Sequence, residues 1–421
     1  MNPLYEIGSE FHIESAEGSC DLPAYLTEEA AGAGYGITFL RCGRDSLGYI
    51  ADDICLLRGG KGETGSGGKS EPERLRIFMP ALCCDSMILP FSVRGYEVVF
   101  FRVKEDLTID TDHLLGLIGG AAEDADEGPI GGAAGDASPV VLVMDYYGLT
   151  PVEDAKRRIR EAYPDAVIIE DVTHRVPDAK AFLKRCVKAD YYIGSIRKWM
   201  GVPDGAFVMQ KGPGHAIESA GDTDFTTLRL KALKEKKEYL DSADRPKELK
   251  DHFRGLLSDA EDSLDDGREP YAISQTSLNL LKSVDLSGMS RARHENFIAL
   301  KSHLMEDKYF GELFDILNPD APVPDTPFML PVVMHIDRIR EKAQGAAGRS
   351  ITRDRFETKL ASRGVYAPVL WPIDAVAAEA CPAAAYFAQN MLAFYIDHRY
   401  TTEHMRHAAD MFCEELDVLM W

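Results

Sequence analysis

Residues 168–174 read Ile168-Ile169-Glu170-Asp171-Val172-Thr173-His174: an apolar run from 166 to 169 that breaks abruptly into two acids. A short unalternating Val/Ile run is how a strand buried on both faces reads. In open α/β sheets, ligands gather beyond the carboxyl ends of the strands, so Asp171 is placed to meet one. Five similar runs flank it: Arg76–Pro80 (RIFMP), 97–103 (EVVFFRV), Val140–Met144 (VVLVM), 191–194 (YYIG) and 206–209 (AFVM). Helical patterns lie between them. In 45–57, Leu47, Ile50, Ala51, Ile54 and Leu57 share one face, and 153–163 (EDAKRRIREAY) is polar-faced and stopped by Pro164. Alternating strands and helices imply a mostly parallel sheet covered on both faces.

The second informative stretch is Gly194-Ser195-Ile196-Arg197-Lys198-Trp199-Met200-Gly201-Val202-Pro203-Asp204-Gly205, which follows the 191–194 run. A lysine just past a strand end can serve as a reactive amine, and Ser195 can offer a hydroxyl to an anion. Either piece alone reads as an ordinary turn. Together, an acid after one strand and a lysine after the next are what pyridoxal phosphate (PLP) chemistry needs. The carboxylate keeps the pyridine nitrogen protonated, and the lysine holds the aldehyde and then moves the proton.

The rest of the chain bounds the reading. The 421 residues carry 47 Lys+Arg against 69 Asp+Glu, a net charge of −22, and 45% are hydrophobic. That length predicts two domains, or a large one with a smaller partner. The acid excess excludes a general phosphate-backbone binder and disfavours anionic membranes. Neither a secretory leader nor an apolar run of membrane-spanning length is expected, and eight scattered cysteines without a C-x-x-C pair suggest a reducing cytoplasm and no zinc site. The Gly-, Ala- and acid-rich stretches 58–73 and 119–138 read as long surface loops. In the first, Gly68-Lys69-Ser70 imitates the end of a phosphate loop, but Glu63 stands where its first glycine belongs. Residues 225–266 read as a charged helical pair broken near Pro246. Beyond about 280, strand-like 328–334, 364–370 and 391–396 alternate with helical Arg353–Ser362 and 402–416, as in a smaller α/β domain.

Five segments, in order along 40–205, resemble the DegT-type (nucleotide-sugar) aminotransferases of PLP fold type I. Arg41-Cys42-Gly43-Arg44-Asp45-Ser46-Leu47 resembles the family's glycine turn into a helix. Met79-Pro80-Ala81-Leu82-Cys83-Cys84-Asp85-Ser86 resembles the strand and turn beside the cofactor ring, and Asp145-Tyr146-Tyr147-Gly148 a strand signature. Glu170-Asp171-Val172-Thr173-His174 is similar to its E-D-x-x-[HQ], and 195–205 to its lysine motif.

The resemblance implies an α/β fold with a mostly parallel, seven-stranded-type sheet in a large PLP-binding domain (36–270), and a smaller α/β domain (1–35 plus 271–421). It implies that Lys198 forms the Schiff base and Asp171 pairs with the pyridine nitrogen. Ser195 with Gly43, Arg44 and Asp45 would cradle the phosphate. Cys84 would face the ring where relatives often place an aromatic. His174 would sit near the cofactor's oxygen side or support Asp171. Arg399, in Ile396-Asp397-His398-Arg399-Tyr400, is a candidate for the substrate carboxylate, against a structural contact with Asp397. Trp371 reads as core or interface, and Cys381 as a bland thiol rather than a desulfurase nucleophile.

The implied activity is transfer of an amino group from an amino-acid donor, such as glutamate, to a keto acceptor that could be a nucleotide-linked keto-sugar. The expected enzyme is a homodimer with small-molecule partners and no metal. Asp145, where many relatives carry histidine, and the short Ser195–Lys198 spacing are departures from the family. A PLP lyase or desulfurase, or a PLP-fold binding protein without catalysis, are the alternatives.

Overall fold

The computed structural model describes residues 6–14, 18–58, 75–120, 138–212, 217, 222–264, 269–343 and 351–420. The two expected loops at 58–73 and 119–138 lie outside these residues, apart from their ends.

Seven strands build one sheet: β1 (Tyr35–Leu40), β2 (Arg76–Pro80), β3 (Glu97–Phe101), β4 (Val140–Met144), β5 (Val167–Asp171), β6 (Tyr191–Ser195) and β7 (Ala206–Lys211). Their order is β1-β7-β6-β5-β4-β2-β3. Only β7 runs against its neighbours; the pairs from β6 to β3 are all parallel. α1 (Leu22–Gly32) precedes β1; parallel strands need crossovers, and α2 (Gly43–Leu57), α3 (Asp85–Ser92), α4 (Thr111–Ile118), α5 (Glu153–Ala162) and α6 (Ala179–Leu183) supply them. β4 is buried at every residue, as its unbroken VVLVM run requires. The sequence reading omits β1, whose mixed YGITFL pattern belongs to a half-buried edge strand.

The charged pair is confirmed as α7 (Asp224–Asp241) and α8 (Lys247–Asp262), with Pro246 at the start of α8, where its missing N–H costs nothing. Further on come α9 (Gln275–Leu280), α10 (Leu286–Met305), β8 (Phe314–Ile316), β9 (Met329–Met334), α11 (Ile336–Lys342), α12 (Arg353–Ser362), α13 (Ala375–Ala380), α14 (Pro382–Asn390), β10 (Met391–Tyr395) and α15 (Thr402–Met420). The three strands form an antiparallel sheet in the order β10-β9-β8. Phe412 of α15 seals it with edge-on contacts to Phe314, Phe356 and Phe394 at 5.0, 5.2 and 5.6 Å.

The expected strand at 364–370 does not form. Val365 makes one isolated bridge to Ile7, and Pro368 has no N–H to continue a ladder. That bridge belongs to an N-terminal strap. Ile7 N–H donates to the Gly364 carbonyl (2.8 Å) and Tyr366 N–H to the Ile7 carbonyl (2.8 Å). Six residues on, Ile13 N–H donates to Leu233 of α7 (3.1 Å). Gly201 lies so close beneath the strap that an added Cβ would stand 1.9 Å from the His12 carbonyl oxygen.

Candidate active site

Period-two alternation sends the two acids of β5 to opposite faces. Glu170 turns into the helix layer, where the Nζ of Lys156 on α5 reaches it at 2.7 Å and Arg185 also pairs with it. Asp171 turns into a cavity at the strand ends. Its carboxylate is buried and accepts the Thr173 N–H (2.8 Å). Burial pushes its pKa up, against the Thr173 hydrogen bonds and the charge of Lys198.

Thr173 couples the two strand ends. Its hydroxyl accepts the Ser195 N–H (3.2 Å), and its carbonyl accepts the indole N–H of Trp199 (2.6 Å). Ser195 opens a 3-10 turn over Ile196–Lys198. The Ile196 and Arg197 N–H groups both donate to the Gly205 carbonyl, at 2.9 and 3.2 Å. Gly205 N–H in turn donates to Arg41 (2.7 Å), which ties the turn to the entry of α2. Gly205 has φ 139°, a conformation that suits glycine alone. Lys198 is thereby held on a fixed turn with its side chain exposed and lining the cavity beside Asp171 and Ser195.

The start of α2 faces the same space through Gly43 and Arg44. Its cap residue, Cys42, makes no side-chain capping hydrogen bond to the first-turn N–H groups. The Asp45 side chain is fully buried and paired with Arg41 through two hydrogen bonds of 2.7 and 3.0 Å, outside the cavity lining. Arg41 also stacks on Tyr271 at 4.3 Å. Asp45 therefore braces the helix start, and its carboxylate is no phosphate ligand.

Cys84 lines the cavity as expected, its thiol 2.8 Å from the Ser86 hydroxyl. The aromatic wall comes instead from Trp371, the one aromatic side chain among the described lining residues. Trp371 also stacks on His174, ring centroids 5.8 Å apart. His174 is buried between Trp371 and Phe328, the latter at 4.3 Å. Its Nδ1 accepts the Tyr147 N–H (2.9 Å), so its proton resides on Nε2, which is buried without a partner. Burial, reinforced by Lys198, holds its pKa well below the usual value and the ring neutral.

Arg399 does not reach the cavity. It grips Asp397 through two hydrogen bonds of 2.7 and 2.8 Å and donates to the strap carbonyls of Ser9 (3.2 Å) and Glu10 (2.9 Å). The structural contact with Asp397 is the one the structure shows. Cys381 is buried, and its sulfur accepts the Ala384 N–H at the start of α14.

Sequence reasoning missed Thr173, Glu261 and Trp371 as lining residues. Thr173 lies inside the quoted 168–174 stretch and could have been found there. Glu261 of α8 and Trp371 arrive from remote segments with no local signal. Among the described residues no cluster of His, Cys, Asp and Glu could hold a metal ion.

The seven-stranded, mostly parallel sheet has the architecture of PLP fold type I. Solved structures with this fold agree over nearly the whole chain. PseC of Helicobacter pylori, an aminotransferase involved in the biosynthesis of pseudoaminic acid, shares 12% identity at TM-score 0.59, covering 98% of this chain and 100% of that one. A putative sugar aminotransferase of Streptococcus pneumoniae, in its PLP form, shares 10% at TM-score 0.58, covering 98% and 94%. A NifS-like protein shares 13% at TM-score 0.52, covering 97% and 92%. No protein-family model matches the sequence, and no curated protein matches it.

Proposed function

We propose that this chain is a PLP-dependent aminotransferase that moves an amino group from an amino-acid donor, with glutamate the first to test, to a keto acceptor of the keto-sugar type. One observation carries the reading. Lys198, Asp171, Ser195 and the uncapped start of α2 line a single cavity. The residues fit the cofactor. A buried carboxylate suits a protonated ring nitrogen, and a helix start suits a phosphate. When bound, PLP supplies an electron sink for the carbanion formed at the donor Cα.

The chain supplies the rest. Lys198 would supply the amine that holds the cofactor and would move the donor's Cα proton as acid and base. Asp171, its pKa raised by desolvation, would face the ring nitrogen. Ser195, with Gly43 and Arg44 at the helix start, anchors the phosphate. His174 stays neutral and fixed by its ring stack. Cys84 and Trp371 flank the ring space. The solved sugar aminotransferases support the keto-sugar class of acceptor.

Purified protein should gain a visible absorbance band on adding PLP, and Lys198→Ala should abolish it. No band in the wild type sinks the cofactor assignment. With donor alone, an aminotransferase stops after one equivalent, whereas a lyase or desulfurase turns over. We also propose a homodimer, testable by light scattering, and a cytoplasmic location. Among the described residues no helix is long and apolar enough to cross a membrane. The division into 36–270 and 1–35 plus 271–421 remains our proposal, with α1 crossing it to pack on β1 and α6.

A further inference from the structure

Arg197 precedes Lys198, and its guanidinium lines the same cavity. It lies over the Phe225 ring at 5.4 Å and faces the carboxylate of Glu261 on α8, Nη1 to Oε1 at 2.7 Å and Nη2 to Oε2 at 3.4 Å. Its Nε is buried and has no partner. Burial opposes its charge, but Glu261 and Glu10 outweigh that, and the group stays protonated. The charge of Arg197 is also felt by the thiol of Cys42, the cap residue of α2. A guanidinium and an uncapped helix start thus line one cavity, and Glu261 is the carboxylate that the guanidinium faces.

Glu261 is oddly placed for a structural residue. It sits in the last turn of α8, a turn without a basic side chain, where the helix dipole disfavours a carboxylate. Its side chain is 43% exposed, and Arg197 and Arg229 outweigh the partial desolvation and bring its pKa below the ordinary value. Arg229 does not depend on Glu261 alone. It also holds Glu10 at 3.0 Å and the Pro203 carbonyl at 3.0 Å. Glu261 can therefore leave without stranding Arg229, and what it vacates is a forked cation beside a helix start, the donor set that receives phosphate.

We propose that Arg197 is a phosphate-binding residue of this site, and that the Glu261 carboxylate is an internal stand-in that gives up the guanidinium when phosphate enters. The proposal rests on the cofactor reading above and adds the residue that competes for it. The fork cannot serve both anions, and a phosphate brought beside Glu261 meets a like charge.

The test measures PLP affinity of the full chain by absorbance titration, with pyridoxal, which lacks the phosphate, as control. A thermal-shift titration with inorganic phosphate runs in parallel. Glu261→Gln keeps the side chain's length and removes its charge. PLP should bind about tenfold tighter to this variant, and pyridoxal equally well to both proteins. Arg197→Gln should weaken PLP by about tenfold or more and leave pyridoxal nearly unchanged. In the double variant the gain from Glu261→Gln should vanish. Equal or weaker PLP binding by a folded Glu261→Gln, or a matching change for pyridoxal, overturns the proposal. If no variant takes PLP but inorganic phosphate stabilises Glu261→Gln more than the wild type, the cofactor reading falls and the phosphate site stands. If phosphate shows no difference either, both fall.

Discussion

Lys156→Met probes the layer directly behind the site. Lys156 and Glu170 are both fully buried, 2.7 Å apart, where α5 covers β5. Methionine keeps the apolar stem and deletes the cation. Glu170 would then rely on Arg185, which already serves Asp145 at 2.9 Å and Glu153 at 3.0 Å. Stripping a buried pair of one partner costs about 3–5 kcal/mol, and the remaining arginine points to about 3. That is a shift of roughly a hundredfold in the unfolding equilibrium.

Burial holds the Glu170 pKa above its ordinary value despite Lys156 and Arg185, and losing Lys156 raises it further. The sign follows. As pH rises past the unfolded value, the unfolded chain ionises first, so the variant loses stability with rising pH and its deficit shrinks in acid. Guanidinium denaturation at stepped pH, read as midpoints at constant slope, measures this. Replacing both residues with methionine should recover most of the loss, because no charge is left unpaired. Since Glu170 faces away from the cavity, the folded single variant should keep its PLP band. A single variant within about 1 kcal/mol of wild type, or a double variant no better than the single, would refute the reasoning.

Three further outcomes are expected. Burial pushes the Glu10 carboxyl up, but Arg229 and Arg197 outweigh it and bring the pKa to about 2 from 4.5. Its stabilisation is present above pH 4.5 and lost as pH falls from 4.5 towards 2, so Glu10→Gln should flatten the acid limb of a midpoint-versus-pH curve. Arg399→Lys cannot reproduce the fork that holds Asp397 and two strap carbonyls, and should cost about 2 kcal/mol while leaving the donor KM alone. A KM change at unaltered stability would contradict that assignment. Gly201→Ala drives a Cβ into the His12 carbonyl and should cost about 1–3 kcal/mol, with faster hydrogen exchange at the Ile13 amide.

What the sequence made legible was whatever local pattern controls. β4 is recognisable because every residue of VVLVM is buried, and Asp171 and Lys198 because each follows such a run. Asp45 looked like part of an anion cradle because an acid in a helix's first turn says nothing about who neutralises it, and Arg41 lies before the helix. Arg399 had two readings that spacing could not separate; the strap from residues 9 and 10 separates them in space. Three-residue β8 is too short to show periodicity, and 364–370 looked like a strand because apolar content hides the break at Pro368. Glu261 and Trp371 are brought in by tertiary packing alone.

The strap across residues 7–13 also sets an order of assembly. On a growing chain these residues emerge well before Arg399, 389 residues after Glu10, whose guanidinium donates to the Glu10 carbonyl. Until that arginine emerges, one of the strap's anchors is missing, and the underside of the turn that carries Lys198 lacks its settled cover. Closure of the cavity that Lys198 lines is thereby coupled to the emergence of a residue 389 positions after Glu10. Contacts of such long range form slowly, so the pocket should be among the last parts of the molecule to become rigid.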